Sequence, residues 1–376
     1  MPCLDNHEAF QKASIAMQHF YAMIMAGGGG TRLWPMSRNN TPKQLLPLVE
    51  EQSMFRISVE RLAPLFPPDQ IYVVTGRKYL EALRKEAPEI PAENFITEPY
   101  GRDSGPAAAL GLTVIARRDP EATVAILTAD HHIANKEAFR NVLVAAHELA
   151  GDNYIVTLGI SPSVPSTAFG YIRRGKDIRE INGFRAYESL GFSEKPNMMR
   201  AMEFISTGEY SWNSGMFILK ARQGLEEFRR QQPEMYDRFA RLAEFVDTRD
   251  FENMLDQIWD DVKKISLDFA IMEGAERIAV IPVDIGWSDV GTWDALFDVL
   301  NLDEFGNGFR GQAGQPILVD TRNTLVYSDK LTVTIGVEDL VVVDTPDVIM
   351  ICHKKRAQDV KDVVNKLREA RQEKYL

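Results

Sequence analysis

The chain carries four consecutive glycines, Gly27 to Gly30, and two basic residues, Arg32 and Lys43, follow them at short range. Glycine tolerates positive φ, so successive backbone amides of such a run can turn toward one anion. A guanidinium can grip two phosphate oxygens at once, whereas an ammonium is a compact point charge. The combination predicts a phosphate-binding loop. The alternative is a tight turn followed by two surface charges.

Two commoner phosphate-binding motifs are excluded by the spacing. A GxGxxG pattern that starts at Gly27 or Gly28 would need its third glycine where Arg32 or Leu33 stands, and no GxxxxGK[ST] occurs. Pro35 also discourages a long helix directly after the glycines. The loop is therefore neither a dinucleotide-binding turn nor a P-loop.

Two aspartates that lie far apart in the sequence are candidate metal ligands. Asp130 follows an apolar run in AILTADHH, where an aspartate is a poor strand residue, and Asp289 lies in GWSDVGTW. Mg²⁺ takes one or two protein carboxylates and fills its other positions with phosphate oxygens and water, so such a pair is sufficient. Ordinary turn aspartates, or Asp284 in place of Asp289, remain open alternatives. His131 and His132 lack metal-site spacing to other ligands and are predicted to be structural.

The hydrophobic pattern that must position these residues is of the α/β class. Apolar strand-like runs alternate with helix-patterned stretches, which indicates a Rossmann-like, mostly parallel sheet with helices on both faces. Ligands of such sheets bind at the carboxyl ends of the strands, where the glycines and Asp130 lie. The predicted strands are 21–26, 72–75, 124–127 and 154–158, and the predicted helices are 54–63, 107–117 and 136–150.

From about residue 308 the pattern changes to short β-branched runs. ILVD, TLVY, LTVTI, LVVVD and DVIMI recur at intervals of roughly eight residues, which is typical of a small all-β coil or partial β-helix. Val360, Val363, Val364, Leu367 and Ala370 then share one face of a helix. We expect a C-terminal β-rich domain over residues 301–376, closed by this terminal helix. A homodimer contact is the alternative role for the helix.

Composition and charge exclude several classes of partner. The 376 residues carry a formal charge of −11, which argues against a nucleic acid partner. No apolar run of about 18 residues occurs, so we expect no membrane partner. The two cysteines, Cys3 and Cys352, cannot form a disulfide framework, which fits a cytoplasmic protein. Residues 1–20 are interpreted as an N-terminal extension that lacks signal-peptide features, and no function is assigned to them.

The string GGGGTRLWPMSRNNTPKQ resembles the signature of the sugar-phosphate nucleotidylyltransferase family. Its Trp-Pro-Met-Ser-Arg version is most similar to the mannose-1-phosphate guanylyltransferases, and TADH and WSDVG match further family elements. The resemblance implies a nucleotidylyltransferase domain over residues 21–300. It also implies a Mg²⁺-dependent in-line attack that transfers GMP from GTP to mannose 1-phosphate, giving GDP-mannose and pyrophosphate.

The resemblance assigns roles to individual residues. Arg32 and Lys43 are expected to be catalytic residues that hold the triphosphate and the leaving pyrophosphate, and Asp130 and Asp289 are expected to be the metal ligands. The expected nucleotide-binding residues are Ala26, Gly27, Gly28, Gly30, Thr31, Glu98 and Gly101. The expected sugar-phosphate-binding residues are Gly170, Glu194, Lys195 and Asn213.

Glu98, in TEPYGRDSG, is the expected reader of the base. Its carboxylate can accept both N1–H and N2–H of guanine, a pair of donors that adenine and pyrimidines do not present. A salt bridge between Glu98 and Arg102 is the alternative. Likewise, Glu194 and Lys195 could form an ordinary ion pair.

Two other functions remain open from the sequence. One is guanylyl transfer to another sugar 1-phosphate, and the other is a catalytically silent homologue that senses GDP-sugars. The presence of both cations and both aspartates favours the active enzyme. Because the sequence stops at residue 376, without the extra domain of bifunctional relatives, we expect no phosphomannose isomerase activity.

Overall fold

A computed structural model describes residues 17–28, 31–311 and 314–376. Gly30 and residues 1–16 of the expected extension lie outside the described residues. The chain forms two compact units. Unit 1 takes the chain up to Gly27, Glu60–Thr128 and Asn135–Ile285, and unit 2 takes Gly28–Val59, Ala129–Ala134 and Gly286–Leu376. The domain boundaries expected at residues 20 and 300 stay a prediction.

Strands and helices alternate through the first two thirds of the chain, and short strands follow. The strands, in chain order, are β1 (Phe20–Ala26), β2 (Ile71–Gly76), β3 (Phe95–Glu98), β4 (Thr123–Thr128), β5 (His132–Ile133), β6 (Ile155–Ile160), β7 (Tyr171–Ile181), β8 (Phe184–Ser193), β9 (Tyr210–Lys220), β10 (Ile278–Val283), β11 (Trp287–Ser288), β12 (Gly308–Arg310), β13 (Ile317–Val319), β14 (Leu325–Tyr327), β15 (Val333–Ile335), β16 (Leu340–Asp344) and β17 (Ile349–His353). The helices are α1 (Met54–Leu62), α2 (Leu80–Glu86), α3 (Ser104–Arg118), α4 (Lys136–Gly151), α5 (Met198–Thr207), α6 (Ala221–Gln231), α7 (Pro233–Ala243), α8 (Phe251–Trp259) and α9 (Val360–Glu369).

Unit 1 is built on a nine-stranded sheet of order β3-β2-β1-β4-β9-β6-β10-β8-β7. The neighbouring strands β3, β2, β1 and β4 are all parallel to one another, and β6 and β10 also pair in parallel. β9 runs antiparallel to β4 and β6, and β7 and β8 form an antiparallel hairpin. The predicted α/β class, with its large and mostly parallel sheet, is confirmed. The antiparallel strands were not predicted.

The central strands of this sheet are covered on both faces. Consecutive residues Ala22 to Ile24 and Val124 to Leu127 are all buried, although successive side chains of a strand point to opposite faces. Met23 and Val124 share a hydrophobic cluster with α3, whereas α4 packs on β4, β6 and β9 with residues outside that cluster. Burial of both faces explains why these strands are continuous apolar runs.

Unit 2 contains the C-terminal strands. β12, β14 and β16 pair in parallel and β17 closes their edge, while β13 and β15 form a separate parallel pair. From β12 to β16, successive strands thus alternate between two sheets, as in a coil, and the predicted C-terminal β-rich domain is confirmed. Within the described residues, no helix has the length and apolar character needed to cross a lipid bilayer.

Candidate active site

In unit 2, a two-stranded antiparallel sheet brings the two predicted metal ligands together. Trp287 of β11 pairs with Ile133 of β5, and Ser288 pairs with His132. Asp130 lies just before β5 and Asp289 directly follows β11, so antiparallel pairing places both at the same end of the ribbon. Their side chains line one cavity of about 280 Å³.

The same cavity is lined by predicted phosphate-binding residues. Thr31 and Arg32 belong to the short helical turn Thr31–Leu33, and Lys43 begins a second turn, Lys43–Leu45. The structure thus brings together Arg32, Lys43 and the two aspartates, which come from three separate stretches of the chain.

Lys43 connects the two aspartate segments electrostatically. It is buried, its Nζ lies 3.0 Å from Asp130 Oδ2, and it also donates to the backbone carbonyl of Asp289. Burial acts to raise the pKa of Asp130, but the neighbouring positive charge, chiefly that of Lys43, outweighs it and holds that pKa below its ordinary value. Asp130 is therefore an anion at neutral pH, which is the form that binds a metal ion.

The Asp289 carboxylate is held by its own loop. Its Oδ1 accepts a hydrogen bond of 3.1 Å from the Gly291 amide, and a Cβ at residue 291 would lie 2.6 Å from Oδ2, so only glycine leaves room. Val290 between them has a φ of 43°, which is rare for a β-branched residue, and it is fully buried. Asp284, the alternative ligand, is exposed and is not part of the cavity lining.

His131 also lines the cavity, and its ring is fixed from one side. Trp287 Nε1 donates a hydrogen bond of 3.0 Å to His131 Nδ1, and the two rings meet edge to face. Nδ1 is therefore the acceptor of this contact. The contact is consistent with the structural role predicted for His131.

The carboxylates fit a hard divalent cation. Two of them line one cavity, one is kept anionic, and the loop of the other is shaped around it. Among the described residues, no group of three or more His, Cys, Asp or Glu side chains could hold a metal ion. A pair of aspartates leaves coordination positions for phosphate oxygens and water, which is the usual way that Mg²⁺ is bound beside phosphates.

In unit 1, Glu98 is a buried carboxylate at the carboxyl end of β3. It is 4% exposed, its Oε1 has no hydrogen-bond partner among the described residues, and its Oε2 lies 3.9 Å from the position of a Cβ on Gly27. Burial, with a contribution from the charge of Asp103, raises the pKa of Glu98 to about 7. A buried acceptor without a partner is costly, so a ligand with N–H donors would be stabilised here.

Arg102, the alternative partner of Glu98, bonds elsewhere. Its Nη2 donates to the Tyr100 hydroxyl and to the Asp260 carbonyl, each at 2.8 Å. Its guanidinium also lies over the Tyr100 ring. The structure therefore has no Glu98–Arg102 salt bridge among the described contacts.

The other predicted nucleotide-binding residues lie near strand ends. Ala26 ends β1 and pairs with Thr75, and Gly76 pairs with Glu98, so Ala26 and Glu98 belong to the same sheet edge. Gly28 has a φ of 100°, a conformation that favours glycine. Gly101 is exposed in the loop between β3 and α3.

The predicted sugar-phosphate residues converge through strand register. Tyr171 of β7 pairs with Ser193 of β8 and with Trp212 of β9. Gly170, Glu194 and Asn213 each lie one residue further along, so the antiparallel pairing aligns them in the next row. The backbone N–H of Asn213 donates a hydrogen bond of 2.8 Å to the Gly170 carbonyl, and a Cβ on Gly170 would collide with the Glu194 carboxylate.

Glu194 and Lys195 form the ion pair that was the alternative to a binding role. Lys195 Nζ lies 2.5 Å from Glu194 Oε1. The Lys195 side chain is nevertheless 60% exposed, whereas that of Glu194 is 18% exposed. An exposed ammonium has further donors, so the pair is compatible with a contact to a phosphate.

Asp268 belongs to this group but was not found from the sequence. Its Oδ1 accepts a hydrogen bond of 2.7 Å from Asn213 Nδ2. Asn213 Oδ1 in turn accepts one of 3.0 Å from the backbone N–H of Gly215. Both the nitrogen and the oxygen of the Asn213 side chain are therefore held in place. Burial and the charge of Glu194 raise the pKa of Asp268. An acid inside the apolar string SLDFAIME was the signal that could have revealed it.

Models of two known families match most of the chain. A family model described as nucleotidyl transferase matches residues 21–304, and a model described as MannoseP isomerase/GMP-like beta-helix domain matches residues 314–367. The first of these covers the strands and loops that carry the predicted site residues. The second covers the C-terminal strands.

Individual relatives and a solved structure extend over most of the chain. The mannose-1-phosphate guanylyltransferase of Escherichia coli K12 is 36% identical over 94% of this chain and 74% of its own length. The mannose-1-phosphate guanylyltransferase ManC of Salmonella typhimurium is 37% identical over 93% of this chain and 73% of its own. A Thermus thermophilus crystal structure, described as a mannose-1-phosphate geranyltransferase, is 36% identical with a TM-score of 0.85 over 93% of this chain and 100% of that chain. This chain therefore belongs to the nucleotidyl transferase family, together with the mannose-1-phosphate guanylyltransferases.

Proposed function

We propose that this protein transfers GMP from GTP to α-D-mannose 1-phosphate, forming GDP-mannose and pyrophosphate. The observation that carries the proposal is the cavity lined by Arg32, Lys43, Asp130 and Asp289, in a chain whose relatives are mannose-1-phosphate guanylyltransferases. The nucleophile is a phosphate oxygen that is already an anion, so no general base is required. Catalysis then consists of positioning and charge neutralisation.

The cations of the cavity counter the repulsion between two polyanionic substrates. Two unit charges 4 Å apart interact by about 4 kcal/mol at an effective dielectric constant of about 20. The planar guanidinium of Arg32 suits two oxygens of the β and γ phosphates, and the ammonium of Lys43 suits a single oxygen of the leaving pyrophosphate.

Nucleotidyltransferases generally use a divalent metal ion, and we propose Mg²⁺ for this protein. Asp130 and Asp289 would hold it, because both carboxylates line the cavity and Asp130 stays ionised. The ion would supply further neutralisation of phosphate charge.

A pyrophosphate-release assay tests the proposal. We expect release only when GTP, mannose 1-phosphate and Mg²⁺ are all present. A panel of other sugar 1-phosphates tests the alternative acceptors, and a better rate with one of them would replace mannose. Binding of GDP-mannose without any pyrophosphate release would instead indicate a silent sensor.

Replacing Glu98 with Gln is expected to relax the choice of base. A Gln side chain has one acceptor oxygen in place of two, and its NH2 group would face one of the two N–H donors of guanine. The preference in kcat/KM for GTP over ATP should fall from about 10⁴ to below about 10². Exposed Glu93, on the turn before β3, provides the control as Glu93→Gln, which should keep the preference.

The wild type and Glu98→Gln should also differ in how the KM for GTP depends on pH. Since the pKa of Glu98 is raised to about 7, the acid is neutral below that pH and is no longer a double acceptor. The wild-type KM for GTP should therefore rise more steeply than that of Glu98→Gln as the pH falls from 8 to 6, since the terminal phosphate of GTP titrates equally in both assays. Unchanged base choice, or the same pH dependence of the KM in wild type and variant, would remove Glu98 from this role.

Replacing Asp268 with Ala is expected to raise the KM for mannose 1-phosphate about tenfold, with little change in the KM for GTP. The reason is that Asn213 would lose the acceptor that orients its amide, and a hydrogen bond to a charged group contributes about 1.5–3 kcal/mol. Asp268→Asn retains an acceptor oxygen and should restore most of the affinity. Steady-state kinetics in each substrate measure the split, and equal changes in both KM values would contradict this positioning role.

A homodimer and a cytoplasmic location stay predictions. The first is supported by exposed apolar side chains on paired strands β13 and β15. These side chains are Ile317, Val319, Val333 and Ile335.

A further inference from the structure

The cavity of Arg32, Lys43 and the two aspartates has a wall that comes from the C-terminal helix. Lys361, the second residue of α9, lines it. The sequence pattern indicated only that this helix packs against the β-rich domain. The structure adds a positively charged side chain from the helix to the phosphate-binding residues.

The helix is held against the turn that carries Arg32. Val360 and Val364 are each 3% exposed and share a hydrophobic cluster with Leu33 and Trp34. These two positions lie one turn apart on the buried face, and Lys361 follows Val360 by about 100° around the axis. Lys361 therefore lies at the edge of the packed face of α9, where its side chain lines the cavity.

A residue after α9 also contacts the stretch that follows Arg32. The Trp34 indole Nε1 donates a hydrogen bond of 2.7 Å to the backbone carbonyl of Tyr375. Packing of α9 and this hydrogen bond both act on the stretch directly after Arg32. The position of Lys361 relative to Arg32 is therefore set by a buried contact.

The charges of the cavity leave Lys361 available for an anion. Lys43 is already engaged with Asp130 and with the Asp289 carbonyl. In the part of the chain that the structure describes, no carboxylate lies within ion-pair distance of Lys361. Three cations and two carboxylates line the cavity, so a bound anion would find a net positive wall at Arg32 and Lys361.

We propose that Lys361 binds the β and γ phosphates of the nucleotide, and the pyrophosphate product, together with Arg32. The proposal rests on the proposed function. The nucleotide tail is preferred over the sugar phosphate because Lys361 lines the same cavity as Arg32, Lys43 and the two aspartates. A lysine suits this role because its ammonium is a point charge on a flexible stem.

The test is equilibrium binding of inorganic pyrophosphate with Mg²⁺, measured by calorimetry on the full chain, alongside the pyrophosphate-release assay. Lys361→Gln should weaken pyrophosphate binding and raise the KM for GTP by about tenfold each, the loss expected for one partly exposed charge pair, and leave the KM for mannose 1-phosphate unchanged. Lys361→Arg should stay within about threefold of wild type because it keeps the charge.

The matched control is Lys366→Gln, which removes an exposed lysine from the same helix outside the cavity. It should bind pyrophosphate as the wild type does. Wild-type binding by Lys361→Gln, or an equal loss in Lys366→Gln, would overturn the proposal. If the wild-type protein neither binds nor releases pyrophosphate, the proposed function fails first and this assignment fails with it. Thermal melts should be unchanged, since Lys361 is exposed.

Discussion

Replacing Asp289 with Asn is expected to lower the turnover number by about 10³-fold or more, with the fold intact. If Asp289 holds the metal ion as proposed, its loss removes several kcal/mol of charge stabilisation, and each 1.36 kcal/mol corresponds to a factor of about ten in rate. The amide oxygen of Asn can still accept the hydrogen bond from the Gly291 amide, so the loop should keep its conformation. Pyrophosphate release gives the rate, and far-UV circular dichroism with a thermal melt gives the fold.

The control for this variant lies in the same loop region. Asp284→Asn changes an exposed carboxylate that does not line the cavity, and it should retain turnover within about twofold. Titration of Mg²⁺ in the assay adds a second measurement, because Asp289→Asn should need far more of the ion. A wild-type rate in Asp289→Asn, or a large loss in Asp284→Asn, would reverse the choice between the two aspartates.

Replacing Lys43 with Met is expected to reduce turnover by about 10³-fold. The methionine fills similar space but removes a charge from the cavity, and one uncompensated interaction at 4 Å is worth about 4 kcal/mol. A second effect follows from the ion pair with Asp130. Lys43 helps to hold the pKa of Asp130 below its ordinary value, so the pKa of Asp130 should rise when Lys43 is lost.

The pH profile separates this explanation from simple unfolding. Asp130 must be ionised to bind a metal ion, so the acid limb of the residual activity should move to higher pH in Lys43→Met. Exposed Lys85, in α2, provides the control as Lys85→Met, which should leave both the rate and the profile unchanged. A variant of Lys43 with normal turnover, or with a lower rate and an unmoved acid limb, would contradict the assigned role.

The hydrophobic pattern predicted much of unit 1 and most of the C-terminal strands. The runs at 72–75 and 124–127 became β2 and β4 with one residue more at each end, and the pattern at 136–150 became α4. The long hairpin of β7 and β8 was missed, because most β7 side chains are partly or fully exposed and the strand YIRRGKDIREI lacks a clear alternation. Its turn at Asn182 and Gly183, both with positive φ, was the available signal.

The individual candidate residues could be named from the sequence, but their partners could not. Strand pairing is a long-range property, and it is the row containing Tyr171 that aligns Gly170, Glu194 and Asn213. Asp268 reaches Asn213 from a segment distant in sequence, and no local pattern reports such a hydrogen bond. Lys361 was hidden for a similar reason, since its helix was interpreted by its apolar face alone.

The cavity draws on stretches near the start, middle and end of the chain, and this has a consequence for synthesis on the ribosome. The turn with Arg32 emerges early, Asp289 emerges much later, and Lys361 emerges last of the three. A nascent chain that has already completed the strands of the large sheet still lacks part of the cluster around Leu33 and Trp34, including Val360 and Val364. Translation must therefore pass residue 361 before all the side chains that line this cavity are present.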